Sequence, residues 1–137
     1  MKRYIIDASV ILNYALKKNK TLEKNLRTLF KKAQAKQVRL LAPDFIFLEI
    51  VNALRYSLKE ESLAQQTLRH ILEFPLKLAH LSSADYKLIL NLAWNNKTTS
   101  YDSAYHYLAI ARNGVFLTFD KAYYTLTKRL NHIELLE

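Results

Sequence analysis

Four carboxylic acids in this chain stand where an α/β protein would do chemistry. Asp7 ends the apolar run Tyr4-Ile5-Ile6, and Asp120 ends a second run, Val115-Phe116-Leu117-Thr118-Phe119. Each is followed at once by residues that read as a helix. In an open parallel sheet, ligands gather beyond the carboxyl ends of the strands, where the strand order reverses. Glu49 lies in a hydrophobic helix, one residue before Ile50, where a carboxylate needs a partner, a raised pKa or a metal. Asp102 falls in the first turn of the helix that precedes the Asp120 strand, where a negative charge suits the helix dipole. The same residues also allow plain structural roles: Asp7 as a helix cap, and Glu49 as half of an ion pair at a helix rim.

Four carboxylates in one place would repel and raise one another's pKa values, a conflict that a divalent cation resolves. An all-oxygen set suits Mg²⁺ or Mn²⁺ better than zinc. One or two such ions can generate a nucleophilic hydroxide and stabilise the leaving oxygen of a phosphodiester. The charge balance suits an anionic partner, whether nucleic acid, membrane surface or acidic protein: Lys+Arg 21 against Asp+Glu 12 gives +9. The lysines cluster at Lys17, Lys18, Lys20 and Lys24, and again at Lys31, Lys32 and Lys36.

To bring the acids together, the chain must alternate strands and helices. Residues 3–7 read as a buried strand, followed by a short helix from Val10 to about Lys18. A second helix covers roughly Thr21 to Lys36, with Leu22, Leu26, Leu29, Phe30 and Ala33 on its apolar stripe. Val38 to Ala42 is a second strand, and Pro43-Asp44 opens a third helix reaching about Leu58. Asn52 stands near Glu49 on that helix as a plausible neighbour. A fourth helix runs from Ser62 to about Glu73, a strand from Leu76 to Leu81, and a fifth helix from Ser82 or Ser83 through Trp94. The Asp102 helix ends at Asn113-Gly114; Val115 to Phe119, a helix to about Leu130 and an edge strand at Ile133–Leu136 complete the chain. A helix of about twelve residues spans ~18 Å, the length of a short strand, so its start returns Asp102 to the end where Asp120 lies. The pattern predicts an α/β fold, a three-layer α/β/α domain over residues 1–137 with a five-stranded, mainly parallel sheet.

Several classes drop out. With no cysteine there are no disulfides, thiolate zinc sites or cysteine nucleophiles. Gly114 is the only glycine, which excludes a phosphate-binding glycine loop and a serine-hydrolase elbow. No stretch approaches the ~20 apolar residues of a membrane span, and the N-terminus lacks a signal-peptide layout, so the cytoplasm is the expected compartment. Of His70, His80, His106 and His132, none shows metal-ligand spacing; His106, one turn past Asp102, is placed to approach a substrate.

Four segments carry a family resemblance: Ile6-Asp7-Ala8-Ser9-Val10; Leu48-Glu49-Ile50-Val51-Asn52-Ala53-Leu54; Tyr101-Asp102-Ser103-Ala104-Tyr105 with Leu108-Ala109; and Leu117-Thr118-Phe119-Asp120. In order and spacing the chain resembles PIN-domain proteins, most closely the VapC-type toxin ribonucleases. The resemblance implies a metal-dependent endoribonuclease using Mg²⁺ or Mn²⁺, with Asp7, Glu49, Asp102 and Asp120 as its acidic quartet. Ser9 and Thr118 match its hydroxyl positions beside the metal. It also implies a homodimer and a small antitoxin protein that inhibits by placing a basic residue in the acidic pocket. Asp44, on the same expected helix as Glu49, competes for that position. A free-standing RNA-processing nuclease and a non-catalytic RNA- or partner-binding adaptor stand as alternatives. A phosphoacceptor receiver domain fits poorly, since no adjacent acidic pair follows the first strand.

Overall fold

Short runs of Ile, Leu, Val and Phe, apolar at consecutive positions, form strands buried on both faces, the pattern of a parallel sheet sandwiched between helices. In the structure, a computed structural model describing residues Met1–Glu137, these runs are β1 (Lys2–Ile6), β2 (Val38–Pro43), β3 (Leu76–Ala79), β4 (Val115–Thr118) and β5 (Ile133–Leu135). They pair in the order β3-β2-β1-β4-β5, every neighbour parallel. The consecutive residues Ile5 and Ile6 of β1 point to opposite faces and are both essentially inaccessible, so helices cover the sheet on each side. Ile5 is in register with Leu41 of β2 and Phe116 of β4, and these side chains form the centre of the core.

The helices are α1 (Ala8–Ala15), α2 (Lys20–Gln34), α3 (Ile46–Ser57), α4 (Glu61–Ile71), α5 (Ser83–Asn96), α6 (Ser100–Ala111) and α7 (Lys121–Thr127), with a 3₁₀ turn at Lys128–Leu130. From β1 the chain builds outward through β2 and β3, then returns to lay β4 and β5 on the other side of β1. The strand order therefore reverses between β1 and β4, and the residues just beyond those two strands, Asp7 and Asp120, flank the crevice that the reversal opens. No helix is long and apolar enough to cross a membrane.

The expected element boundaries shift where backbone pairing outweighs local propensity. Pro43 ends β2 rather than opening α3, because it pairs with Ala79 and the next amide, Asp44 N–H, still bonds the Ala79 carbonyl at 3.0 Å. The chain stays extended until that bond is made, and α3 starts at Ile46. Helix α1 stops at Ala15, and Lys17 takes a left-handed conformation (φ 53°). At the end of α6 the left-handed residue is Asn113 (φ 52°), not Gly114.

Gly114 serves close approach. A Cβ placed there would lie 2.8 Å from both the Arg3 carbonyl oxygen and Ile5 Cδ1. Backbone on one side and a packed core side chain on the other leave little room to relax. Gly114→Ala is expected to destabilise the fold by about 1–3 kcal/mol, the range for overpacking. A melting temperature equal to that of the parent chain would contradict this close fit.

Candidate active site

A helix that begins directly after a strand leaves its first amides without partners, and a carboxylate at the cap position accepts from them. Asp7 does this for α1: its Oδ1 accepts from Val10 N–H at 3.0 Å and from the Ser9 hydroxyl at 2.7 Å. Asp120 does it for α7, its Oδ1 accepting from Tyr123 N–H at 2.9 Å. In α6, Thr99 caps the helix and its hydroxyl donates to Asp102 Oδ2 at 3.1 Å. Glu49, in the first turn of α3, accepts at Oε1 from the Tyr105 hydroxyl at 2.5 Å. Each of the four carboxylates thus has one oxygen held by a protein donor, while the other takes no protein hydrogen bond. The capping and chemical readings of Asp7 are not rivals: the cap bond fixes one oxygen and orients the other.

The four acids line one open cleft of about 370 Å³, together with Ala8, Ser9, Tyr105 and Phe119. No Lys, Arg or His lines it, in a chain that carries +9. A larger groove of about 540 Å³ lies between α3 and α4, lined by Arg55, Lys59, Glu60 and Glu61 among apolar side chains. It contains none of the four converging acids.

Concentrated negative charge with reduced hydration has the electrostatic consequence expected of it. Burial, with the charges of Asp102 and Glu49 adding, pushes the Asp7 carboxyl up to about 6 against the pull of its Ser9 and Val10 bonds. Burial also raises Glu49, opposed by the Tyr105 hydrogen bond and reinforced by Asp102. Asp102 is raised by burial, opposed by the Thr99 bond and reinforced by Asp120. Asp7, Glu49 and Asp102 therefore act on one another as a group, and Asp120 joins through Asp102. Burial and the Glu49 carboxylate hold the Tyr105 hydroxyl protonated, so it stays a donor.

The donor set suits a hard divalent cation: it is all oxygen, anionic and free of competing basic groups. The carboxylates do not close into a cage of three around one point. Mg²⁺ tolerates this arrangement, since it keeps several waters and is bound through one or two carboxylates plus substrate oxygens.

Other residues singled out by sequence fall in different places. Ser9 lines the cleft beside Asp7. Thr118 is buried, its hydroxyl accepting from Asp120 N–H at 3.1 Å, so it shapes the turn bearing Asp120 and does not line the cleft. Asn52 is exposed and outside the cleft lining, because the face of α3 that it occupies turns to solvent. Asp44 precedes α3, lies outside the cleft and pairs with exposed His80 at 3.1 Å, which leaves Glu49 as the α3 carboxylate of the site. His106 does not approach the cleft. It is fully buried, with Nε2 bonding the Asn131 carbonyl at 2.8 Å and Nδ1 bonding the Tyr123 hydroxyl at 2.9 Å. A carbonyl can only accept, so Nε2 carries the hydrogen, and burial lowers the ring's pKa and keeps it neutral.

Tyr105 and Thr99 also belong to the candidate site, through their bonds to Glu49 and Asp102, and were not among the residues expected there. Thr99 had a local signal, a threonine three residues before an acid at a helix start. Tyr105 is one turn from Asp102 on the same helix but reads as core, which it also is, being 2% exposed. Tyr105→Phe removes the donor that holds Glu49. It is expected to weaken Mn²⁺ binding about ten- to a hundred-fold, the usual effect of losing a group that orients a ligand. Calorimetric titration checks this, and unchanged affinity would show that Glu49 needs no such support.

Comparison with solved structures places this backbone among related folds. The crystal structure of PAE2754 from Pyrobaculum aerophilum is similar with a TM-score of 0.66 and 22% identity, over 93% of this chain and 81% of that one. VapBC2 from Rickettsia felis, bound to a DNA fragment from their promoter, gives 0.71 at 17% identity, over 98% and 97% of the two chains. FitAcB from Neisseria gonorrhoeae gives 0.67 at 15% identity, over 98% and 96%. At these identities the likeness speaks for the fold. No curated protein sequence matches the chain significantly. The family model described as PIN domain matches residues 4–128, a span that includes all four cleft acids, and the chain therefore belongs to the PIN-domain family.

Proposed function

We propose that this protein is a metal-dependent endoribonuclease, with Asp7, Glu49, Asp102 and Asp120 as its working acids. One observation carries the reading: four carboxylates line one cleft, each with one oxygen anchored by the protein and the other without a protein partner. Asp7, Glu49 and Asp102 act on one another's charges, which supports one shared site for a principal Mg²⁺ or Mn²⁺ ion, bound directly by one or two of these carboxylates and through water by the rest. Asp120, coupled through Asp102, orients water or helps hold a second ion. A cation held by these acids would lower the pKa of a water molecule and stabilise the departing oxygen of a phosphodiester. Ser9 fixes Asp7, Thr99 fixes Asp102 and Tyr105 fixes Glu49, so the oxygen donors are oriented before substrate arrives. Hydrolysis puts the water oxygen on phosphorus and releases the sugar oxygen. The net charge of +9 favours the polyanionic RNA backbone as the partner.

Within this reading the protein is the toxin of a toxin-antitoxin pair, restrained by a small antitoxin protein. A cleft with four acids and no basic lining group would receive a basic side chain from such a partner. Helix α5 exposes Tyr86, Leu90 and Trp94 at four-residue spacing, an apolar stripe that supports a homodimer. The alternative is an adaptor that binds RNA or a partner without cutting. Incubation of a mixed structured RNA with Mg²⁺, Mn²⁺ or EDTA tests the nuclease. Cutting only in the presence of cation supports it, and absence of both cutting and cation binding favours the adaptor.

A further inference from the structure

We infer that Tyr101 is a stacking platform for one base of a single-stranded RNA, next to the phosphate that enters the acidic cleft. The inference rests on the nuclease reading and adds how that site takes hold of its substrate. Tyr101 is in the first turn of α6, one residue before Asp102, and is 62% exposed. Consecutive Cα atoms are about 3.8 Å apart, so the backbone of Tyr101 adjoins the site; its ring lies outside the cleft lining and is linked to the lining residue Tyr105 through Phe45.

The ring is held in place. It packs edge-to-face against Phe45, with centroids 5.7 Å apart, and Phe45 packs edge-to-face against Tyr105 at 5.5 Å. Tyr105 in turn stacks on the buried Phe116 at 5.8 Å. Tyr101 and Tyr105 are one turn apart on α6, as Phe45 and Glu49 are at the start of α3. The inner rung between these helices is the hydroxyl–carboxylate bond of Tyr105 and Glu49, and the outer rung is the ring contact of Tyr101 and Phe45. A row of aromatic rings thus leads from the core to an exposed tyrosine beside the acids. A ring already immobilised loses little further freedom when a base stacks on it.

No other strongly exposed aromatic has this support. Tyr56, Tyr86 and Trp94 are 79%, 58% and 78% exposed, yet none packs against another ring and none is adjacent to a cleft acid. Charge favours a nucleic acid strand as the occupant: the chain carries +9, and a neutral ring adds affinity without adding to the negative charge around the cleft. Stacking on an aromatic tolerates any base, because each has a π-face. A base inside a duplex has both faces covered, so the platform selects unpaired nucleotides.

Steady-state cleavage with Mn²⁺ tests this on a short unstructured RNA and on copies carrying one abasic nucleotide at successive positions. Tyr101→Ala is expected to raise KM about ten-fold or more, the usual scale for one stacked base, with kcat near the parent value. Tyr101→Phe keeps the ring and is expected to restore KM. An abasic nucleotide at one position beside the cut should raise the parent KM by a similar factor and leave that of Tyr101→Ala unchanged. Equal KM for the parent and Tyr101→Ala, or Tyr101→Phe as impaired as Tyr101→Ala, overturns the platform. So does a change in oligomeric state for Tyr101→Ala, which would place the ring at a protein interface. A parent protein that binds Mn²⁺ and cuts no RNA overturns the nuclease reading itself, and the platform with it.

Discussion

Asp7→Asn is expected to lose at least about a hundred-fold in metal-dependent RNA cleavage while becoming more stable than the parent in the metal-free state at neutral pH. The activity loss follows from position. Losing a group that merely orients a ligand commonly lowers metal affinity or activity ten- to a hundred-fold, and Asp7 is proposed as a ligand itself. The stability gain follows from charge. The Asp7 carboxyl is raised from 3.8 to about 6 by burial and by Asp102 and Glu49. A folded-state pKa above the unfolded value means that the folded protein binds the proton more tightly. Between about pH 4 and pH 6 the parent therefore loses stability as pH rises, and above pH 6 it carries the full penalty, on the order of 3 kcal/mol. Asparagine is neutral throughout and can still accept from Ser9 and Val10. Thermal melts of both proteins with EDTA, across that pH range, check the sign. A variant that melts lower than the parent at neutral pH would show that the carboxylate is held by attraction and not repulsion.

The second large effect is the response of the fold to cation. Mn²⁺ is expected to raise the melting temperature of the parent at neutral pH and to have little effect near pH 5, where protonated Asp7 must release its proton before binding. A ligand at a hundred times its dissociation constant stabilises by about 2.7 kcal/mol, roughly 10 °C for a domain of this size. The increment should appear as pH rises through about 6 and be mostly absent in Asp7→Asn. A shift of equal size at both pH values, or in both proteins, would place the ion elsewhere on the surface.

Much of this site can be read from the residues because strand ends and helix starts are locally encoded. Ile5-Ile6-Asp7 and Leu117-Thr118-Phe119-Asp120 each combine a buried strand, a turn and an acid, and the pairing order places both acids at the β1/β4 reversal. The Asp102 position follows from helix length alone. What stayed hidden depends on contacts between elements distant in sequence. The Tyr105 bond to Glu49 joins residues 56 positions apart, and nothing near either residue signals it. His106, one turn from Asp102, belongs instead to the inner face of α6, where Tyr123 and the Asn131 carbonyl satisfy it. Asn52, three residues past Glu49, turns to solvent because the buried stripe of α3 runs through Ile46, Ile50 and Leu54. The start of α3 moved for a similar reason, the β2–β3 ladder holding Pro43 extended and tying the Asp44 amide to the Ala79 carbonyl. Gly114 was legible as a stop, but its need for close approach to Arg3 and Ile5 exists only once β1 and β4 are paired.

The most direct measurement is treatment of a covalently closed circular RNA with the purified protein in Mn²⁺ and in EDTA. A circle has no ends, so only internal hydrolysis can open it. The expected result is linear RNA with Mn²⁺ and intact circles with EDTA, with Asp7→Asn leaving the circles intact in both. Circles that persist with the parent protein under conditions where calorimetry shows Mn²⁺ bound, or that open equally in EDTA, would contradict a metal-dependent endoribonuclease built on these four acids.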